Sequence, residues 1–315
     1  MIKPEKESSL NLSAFILAAG LGERLQPITH HIPKPLLPIL GKPILQSVLE
    51  RIMALPIHKI GINLHYKKQI IEDWIKHSAY FENITLFIED PILGTGGALI
   101  NAEVFLKKSP FLVHNSDILS DIDLEKLIEC HVSSGNLATL AVHDCQNFNK
   151  LVVDAKGYLI SLILGLTSDN SHPEFISGSP ETSGNSKEKI LKQVQNDKKT
   201  DSPSAFGSER VGTEKLFAFT GIAMYQPEFL QFLPPGNSSV VDAWFRALSA
   251  GYRIGTMDVS GCYWTDIGTP ASYAKAVIHE LRKNGENVYI HQSVKGCVHA
   301  ELDGYVVIGK DTELN

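Results

Sequence analysis

The chain has 315 residues, of which 43% are hydrophobic and 20% charged, and its formal net charge is −6 at pH 7. This composition is ordinary for a globular protein of one or two domains, and the acidic balance disfavours nucleic acid as a partner. The four cysteines form no CxxC pair, which disfavours a zinc site and favours a reducing, cytoplasmic location. No apolar run is long enough to span a membrane, so we expect no membrane association.

Strands and helices alternate through the first half of the chain. A polar extension, 1–13, precedes a compact apolar run at 14–19, which is typical of a buried parallel strand. An amphipathic helix is predicted from Pro43 to about Ala54, and further strands and helices of similar length follow it. The pattern predicts an α/β fold with a doubly wound, mostly parallel, Rossmann-like sheet.

The second half of the chain is less regular. Residues 151–163 predict a hairpin, and residues 167–212 are rich in Ser, Gly, Asn and Lys, which predicts a disordered insertion. We therefore expect one domain over 14–284, interrupted by this insertion. Residues 285–315 resemble the first coils of a left-handed hexapeptide β-helix, and the chain stops where another coil would be expected, as in a truncated tail.

A glycine- and proline-rich loop follows the first predicted strand. Its sequence, from Leu17, is LAAGLGERLQPITHHIPKPLLPILGKP. It contains no GxxxxGK[ST] phosphate loop, and the dinucleotide fingerprint GxGxxG is broken because Leu25 stands at its third glycine. A glycine-rich turn after such a strand still places backbone N–H groups at the ligand-binding edge of the sheet.

Two cations, Arg24 and Lys34, lie on this loop, whose prolines stiffen it and whose glycines let the backbone approach a polyanion. Phosphoryl transfer depends on fixed positive charge near the phosphates, because its catalysis is mostly positioning and charge neutralisation. Arg24 or Lys34 alone would indicate no more than a charged residue on the protein surface. Together with the glycine and proline frame they indicate a nucleotide-binding loop.

The loop resembles the nucleotide-binding segment of the sugar-phosphate nucleotidyltransferase (NDP-sugar pyrophosphorylase) family. The segments that carry the resemblance are LAAGLGERLQPIT and PKPLLPILGKP. Further similarity lies at LGTGGAL (93–99), NSD (115–117), FTGI (219–222) and WTDIGTP (264–270), in the family's order. The resemblance covers roughly residues 14–280. It is strongest to the short bacterial enzymes that act on N-acetylmuramate 1-phosphate or mannose 1-phosphate, and it implies NTP and a sugar 1-phosphate as substrates.

The resemblance also implies roles for individual residues. Arg24 would hold the triphosphate, and Lys34 would stabilise the α-phosphate and the leaving group. Asp117 and Asp266 would bind Mg²⁺. The nucleotide would be held by the backbone of Leu17, Ala18, Ala19, Gly20 and Gly22 and by the turn of Gly94, Thr95 and Gly96, and the sugar phosphate by Asn115 and Gly221.

The residues themselves support part of this assignment. Asp117 closes the strand PFLVHNSD, so its carboxylate is expected at the same sheet edge as the Gly20 loop, and Mg²⁺ prefers carboxylate, phosphate and water oxygens. A strand-end aspartate is also a common turn former, a role we expect for Asp123 as a helix cap. Asp266 lies in a tight turn, where it too could serve only to form the turn. The metal role of the pair therefore depends on the resemblance.

The reaction so implied needs no protein nucleophile and no general base, because a sugar 1-phosphate is already an anion at neutral pH. The pair His30 and His31, and His114, are accordingly expected to be structural or peripheral. The Glu-Lys-Pro element with which many relatives grip the sugar phosphate is absent from the sequence, and Lys215 is a weak substitute.

Three other functions stay open at this stage, as does homo-oligomer formation. A cytidylyltransferase acting on a phosphorylated amino alcohol can use a similar loop. A non-catalytic nucleotide-sugar-binding paralogue is less favoured, since a binding module has less need of both Arg24 and Lys34 beside two acidic residues. An NAD-dependent oxidoreductase shares the fold class, but the broken third glycine disfavours it.

Overall fold

The computed structural model describes residues 11–146, 148–163, 214–296 and 302–314. Its helices are α1 Ile44–Met53, α2 Lys68–Lys76, α3 Gly94–Asn101, α4 Glu103–Leu106, α5 Leu124–Ser134, α6 Val240–Ser249 and α7 Pro270–Lys283. Its strands are β1 Leu12–Leu17, β2 Pro38–Ile39, β3 Lys42–Pro43, β4 Ile57–Leu64, β5 Ile84–Ile88, β6 Phe111–Asn115, β7 Ile118–Ser120, β8 Ala138–His143, β9 Leu151–Val153, β10 Leu159–Leu162, β11 Lys215–Tyr225, β12 Ile254–Asp258, β13 Trp264–Asp266, β14 Val288–Ile290, β15 Lys295–Gly296, β16 Val306–Ile308 and β17 Glu313–Leu314. The predicted insertion at 167–212 lies outside the described residues, as do residues 1–10 of the predicted extension.

A nine-stranded sheet forms the centre of the fold, in the order β10-β9-β11-β6-β1-β4-β5, with β8 beside β11 and β12 beside β8. Strand β1 runs parallel to β4 and β6, and β4 runs parallel to β5. This confirms the predicted α/β fold with a Rossmann-like parallel sheet. The long strand β11 is antiparallel to both β6 and β8, a feature that strand–helix alternation does not reveal.

Both faces of the sheet are covered, which explains why β1 is apolar at nearly every position. Phe15 packs in a cluster on one face, whereas Ala14 and Ile16 pack in a cluster on the other. Helix α1 contributes Leu45, Val48, Leu49 and Ile52 to the second cluster. Among the described residues, no helix is both long and apolar enough to cross a membrane.

The tail forms short parallel strand pairs. Val288 pairs with Val306, and Lys295 pairs with Glu313, an offset of 18 residues in both cases. A constant offset between parallel strands is the geometry of successive β-helix coils, so the structure agrees with the predicted resemblance. The tail also lies against the β2–β3 turn, because a Cβ built on Gly41 would collide with the Tyr289 hydroxyl.

The fold makes its stability dependent on pH through a buried histidine. His131 on α5 is fully buried, its Nδ1 lies 3.0 Å from the Thr139 hydroxyl, and burial lowers its pKa from 6.5 to about 4. The unfolded chain therefore binds a proton more readily than the folded chain. Stability from this group is complete above about pH 6.5 and is lost as the pH falls towards 4.

We expect the free energy of unfolding to decrease by a few kcal/mol over this range, about 1.4 kcal/mol for each unit of pKa difference. His131→Gln should make the decrease smaller, and the exposed His77→Gln should leave it unchanged. Urea unfolding at pH 7 and pH 5 measures the difference. An equal decrease in all three proteins would contradict the assignment.

Candidate active site

The loop after β1 is anchored by apolar residues beneath its glycines. Gly22 adopts the left-handed conformation (φ 66°), and its carbonyl accepts a 2.9 Å hydrogen bond from the Thr29 hydroxyl. A short 3₁₀ helix, Glu23–Leu25, follows it. Leu25 is fully buried in a cluster with Leu37 and Ile267. The residue that breaks the dinucleotide fingerprint thus fixes the loop to the domain.

Lys34 brings the predicted catalytic and metal residues together. It begins a 3₁₀ helix between two prolines and is only 4% exposed. Its ammonium group forms a direct ion pair with Asp117 Oδ2 and lies 3.9 Å from Asp266 Oδ1. The two aspartates, which are far apart in the sequence, therefore both lie close to one buried ammonium group.

A small two-stranded sheet explains why the aspartates meet. Strand β13 pairs with β7 in antiparallel register, and Asp266 is opposite Ile118, the residue after Asp117. The Ile267 N–H donates a 3.0 Å hydrogen bond to the Asp117 carbonyl. These backbone contacts fix the spacing of the two backbone segments from which the carboxylates project.

The donor atoms at this position suit a hard divalent cation. Asp117 is buried, and its Oδ1 has no hydrogen-bond partner within the described part of the chain, which is costly unless a ligand occupies it. The described residues contain no cluster of three or more His, Cys, Asp or Glu side chains suited to a metal ion. Two carboxylates completed by substrate phosphates and waters are a typical Mg²⁺ environment.

Arg24 extends across the same region. A Cβ built on Gly268 would lie 2.8 Å from its Nη2 and 3.1 Å from its Cζ, so the guanidinium lies directly against this buried glycine. Gly268 follows Asp266 in the WTDIGTP segment. The predicted triphosphate and metal residues thus share one wall of the site.

The glycine-rich turn at the start of α3 packs closely on the loop that precedes α6. Cβ atoms on Gly94 and Gly96 would lie 2.7 and 2.8 Å from Ser238 atoms, and the Gly96 N–H donates to the Ser238 carbonyl at 2.8 Å. The Thr95 hydroxyl accepts a 3.0 Å hydrogen bond from the Val240 N–H. Close packing within the protein is therefore one reason for these glycines, and their role towards a base stays a prediction.

The residues predicted for the sugar phosphate are only partly together. Gly221 is left-handed (φ 81°), and a Cβ there would lie 2.8 Å from Asn115 Nδ2, so these two residues are in contact at the end of β6. Lys215 is exposed and pairs with Val153, six residues along β11 from Gly221. That separation is about 20 Å in an extended strand, so the structure does not place Lys215 beside them.

The positions of His30, His31 and His114 are compatible with the structural or peripheral roles expected for them. His30 and His31 are exposed on the loop. His114 is fully buried, its Nδ1 lies 2.7 Å from the Asn115 carbonyl, and burial lowers its pKa to about 4. It is therefore neutral at pH 7.

Sequence reasoning missed two buried polar residues at the same sheet edge. Asn63 lies near the end of β4 and Glu89 directly follows β5, and they are 2% and 1% exposed. Their side chains are joined by a 2.7 Å hydrogen bond. The signal was available, because a polar residue that closes a buried parallel strand is expected at the ligand-binding edge.

Comparison with known proteins agrees with this geometry. A model of the nucleotidyl transferase family matches residues 13–150. Mannose-1-phosphate guanyltransferase of Hypocrea jecorina is 25% identical over 305 residues, which cover 90% of this chain and 73% of that protein. The bifunctional protein GlmU of Methanocaldococcus jannaschii is 36% identical over 151 residues, which cover 48% of this chain and 35% of that protein. The chain thus spans from about a third to three quarters of these relatives.

A solved structure shares the fold. HddC from Yersinia pseudotuberculosis, determined in complex with GMP-PN, superimposes with a TM-score of 0.58 at 22% identity, over 85% of this chain and 99% of that chain. Its likeness bears on the fold, whereas the family match rests on the sequence of residues 13–150, which contains the loop and Asp117. On these grounds residues 13–150 match the nucleotidyl transferase family, and the chain as a whole shares the fold of the solved structure.

Proposed function

We propose that this chain transfers a nucleoside monophosphate from an NTP to a sugar 1-phosphate and releases pyrophosphate. The observation that carries the proposal is the contact of Lys34 with Asp117 and Asp266 at the sheet edge beside the Gly20 loop. Burying a lysine with two carboxylates costs desolvation free energy, so such a group contributes little net stability to a fold. Its presence therefore favours a role in chemistry.

In this proposal the nucleotide binds along the two glycine-rich segments. The backbone from Ala18 to Gly22 would contact base and ribose, and the Gly94 turn would line the base pocket. Arg24 would bind the triphosphate from its position against Gly268. Guanidinium groups suit this task because their N–H donors match phosphate oxygens in pairs.

Asp117 and Asp266 would hold a divalent metal ion, for which Mg²⁺ is the first candidate. When bound, such an ion neutralises phosphate charge and helps to align the reacting groups. The protein's part is to hold the two backbone segments from which the carboxylates project at a fixed spacing, which the β7–β13 pairing does. Asp117 Oδ1, which is buried and lacks a hydrogen-bond partner among the described residues, is the donor atom that most needs such a ligand.

The chemical step is an in-line displacement. An oxygen of the sugar phosphate attacks the α-phosphorus, a new P–O bond forms, and the bond to the pyrophosphate oxygen breaks. The attacking oxygen is already anionic, so no side chain needs to remove a proton. Lys34 and Arg24 offset the repulsion between two polyanions, and the protein lowers the barrier mainly by orientation.

Guanine is the base indicated by the names of several relatives. The guanyltransferases of Hypocrea jecorina and Schizosaccharomyces pombe match 90% and 95% of this chain. The solved neighbour HddC was determined with GMP-PN. We therefore propose GTP and a hexose 1-phosphate as the first pair to test, with Asn115 and Gly221 on the sugar side.

Pyrophosphate release tests the function. Each of the common NTPs is combined with a panel of sugar 1-phosphates and with phosphocholine, in the presence of Mg²⁺. Release that requires one NTP and one sugar 1-phosphate supports the proposal and identifies the substrates. Release only with CTP and phosphocholine would support a cytidylyltransferase, and no release from folded protein would support a non-catalytic paralogue.

The contact between Arg24 and Gly268 gives a specific prediction. Gly268→Ala places a methyl group where the guanidinium now lies, and a flexible side chain can move away at little cost to stability. We expect kcat/KM to fall about tenfold or more, because fixed charge is central to phosphoryl transfer, while the melting temperature changes little. Gly261→Ala, where a Cβ meets nothing within 4 Å, is the matched control. Equal kcat/KM in both variants would remove Gly268 from the account.

A further inference from the structure

A chain of buried hydrogen bonds joins the two glycine-rich segments. The Ala18 N–H donates to Asn63 Oδ1 at 2.7 Å, and Asn63 Nδ2 donates to Glu89 Oε1 at 2.7 Å. The Leu93 N–H then donates to Glu89 Oε2 at 2.8 Å. The chain therefore runs from the start of the Gly20 loop to the residue before Gly94.

We infer that Asn63 and Glu89 are positioning residues that hold the Gly20 loop and the Gly94 turn at the spacing a nucleotide requires. The inference rests on the proposed function, in which these two segments bind the NTP. Both side chains are almost fully buried. The side-chain nitrogen and oxygen atoms of Asn63 and Glu89 form the hydrogen bonds given above, all of them to other protein atoms. They would therefore act through the backbone of Ala18 and Leu93.

Each hydrogen bond along this series has a fixed direction, from an N–H donor to a side-chain oxygen. Both carboxylate oxygens of Glu89 accept hydrogen bonds, an arrangement that suits the ionised form because that form only accepts. Burial raises the pKa of Glu89, and the hydrogen bonds from Asn63 and Leu93 offset only part of that increase. A buried carboxylate at this position costs free energy. Its function in the fold is to accept hydrogen bonds from two donors, the Asn63 amide and the Leu93 N–H, and so to connect them.

Two single substitutions break the chain in opposite ways. Glu89→Gln replaces one acceptor by an NH₂ group, which then faces either the Leu93 N–H or the Asn63 amide. If the Asn63 amide turns over to accept from it, an NH₂ group faces the Ala18 N–H instead. Asn63→Asp places two carboxylates against each other.

The double variant Asn63→Asp with Glu89→Gln restores every hydrogen bond. Asp at 63 accepts from the Ala18 N–H and from the new amide at 89, and that amide's oxygen accepts from the Leu93 N–H. The total charge of the pair is unchanged. Rescue by the double variant is therefore specific to an intact chain.

Binding and exchange measurements test the inference together. We expect each single variant to raise the Kd for Mg·GTP, or for the NTP that the wild type uses, about tenfold, as for one lost buried hydrogen bond. Turnover at saturating substrate should change less, and the double variant should bind within about threefold of wild type. Glu82→Gln, an exposed change at the other end of β5, should have no effect.

Amide hydrogen exchange of the ligand-free protein provides a second readout. Glu89→Gln should speed exchange at Ala18 as well as at Leu93, although Glu89 does not contact Ala18, and the double variant should restore both. Unchanged Kd in the single variants, or failure of the double variant to restore binding and protection, would overturn this inference alone. Wild-type protein that binds no nucleotide would overturn the proposed function itself and the positioning role with it.

Discussion

Replacement of Asp117 by asparagine should reduce turnover at least about a hundredfold, the loss expected when charge at the phosphates is no longer stabilised. Asparagine has nearly the same shape but loses the negative charge and one of the two acceptor oxygens. The lost oxygen is either the partner of Lys34 or the buried Oδ1, which has no partner among the described residues. The backbone bond from Ile267 to residue 117 remains, so the fold should survive.

Kinetics at saturating Mg²⁺, together with thermal unfolding, measure this effect. Asp123→Asn is the matched control, because Asp123 caps α5 through its Oδ1 and asparagine caps equally well. It loses the same charge from a nearby position. Near-normal turnover of Asp117→Asn would exclude Asp117 from metal binding.

Replacement of Lys34 by methionine should have the second large effect, on both turnover and stability. Methionine fills a similar volume but leaves the carboxylates of Asp117 and Asp266 together without the Lys34 ammonium. Removing one partner of a buried ion pair costs about 3–5 kcal/mol. In EDTA the melting temperature should therefore fall by on the order of 10 °C.

Divalent metal should reverse much of that loss. The variant's two carboxylates attract a cation more strongly than those of the wild type, where Lys34 already supplies positive charge. We expect Mg²⁺ or Mn²⁺ to raise the melting temperature of Lys34→Met more than that of wild type. Lys42→Met, which removes an exposed ion pair with Glu50, should show neither effect. An equal metal-induced shift in Lys34→Met and wild type would contradict a metal site at these aspartates.

Local sequence patterns were enough to predict most of the fold. The apolar period of 3.6 residues in α1 and the apolar run of β1 each report which faces are buried, and burial decides those elements. The hairpin of β9 and β10 and the capping of α5 by Asp123 follow from turn and cap chemistry, and the structure confirms both. The antiparallel placement of β11 could not be predicted in this way, because strand order depends on contacts between distant parts of the chain.

The residues of the candidate site could be proposed one at a time from the sequence, but their assembly could not be predicted. Asp117 and Asp266 meet through two strands of only three residues, too short for any periodic signal. Asn63 and Glu89 were missed although each lies at the end of a parallel strand, and their hydrogen bond to each other could be seen only in the structure. Lys215 was proposed from its charge and its place in the sequence, and the length of β11 separates it from Gly221.

The most direct test of the account is the mass of the product formed from GTP and mannose 1-phosphate with Mg²⁺. We predict a GDP-hexose and pyrophosphate in equal amounts, formed at least about a hundredfold more slowly by the Asp117→Asn variant. An NDP-sugar formed only when another NTP or another sugar 1-phosphate is supplied would change the substrate assignment and leave the chemistry intact. Hydrolysis of GTP without a sugar-containing product, or no reaction with any sugar 1-phosphate and NTP, would contradict the proposed transfer.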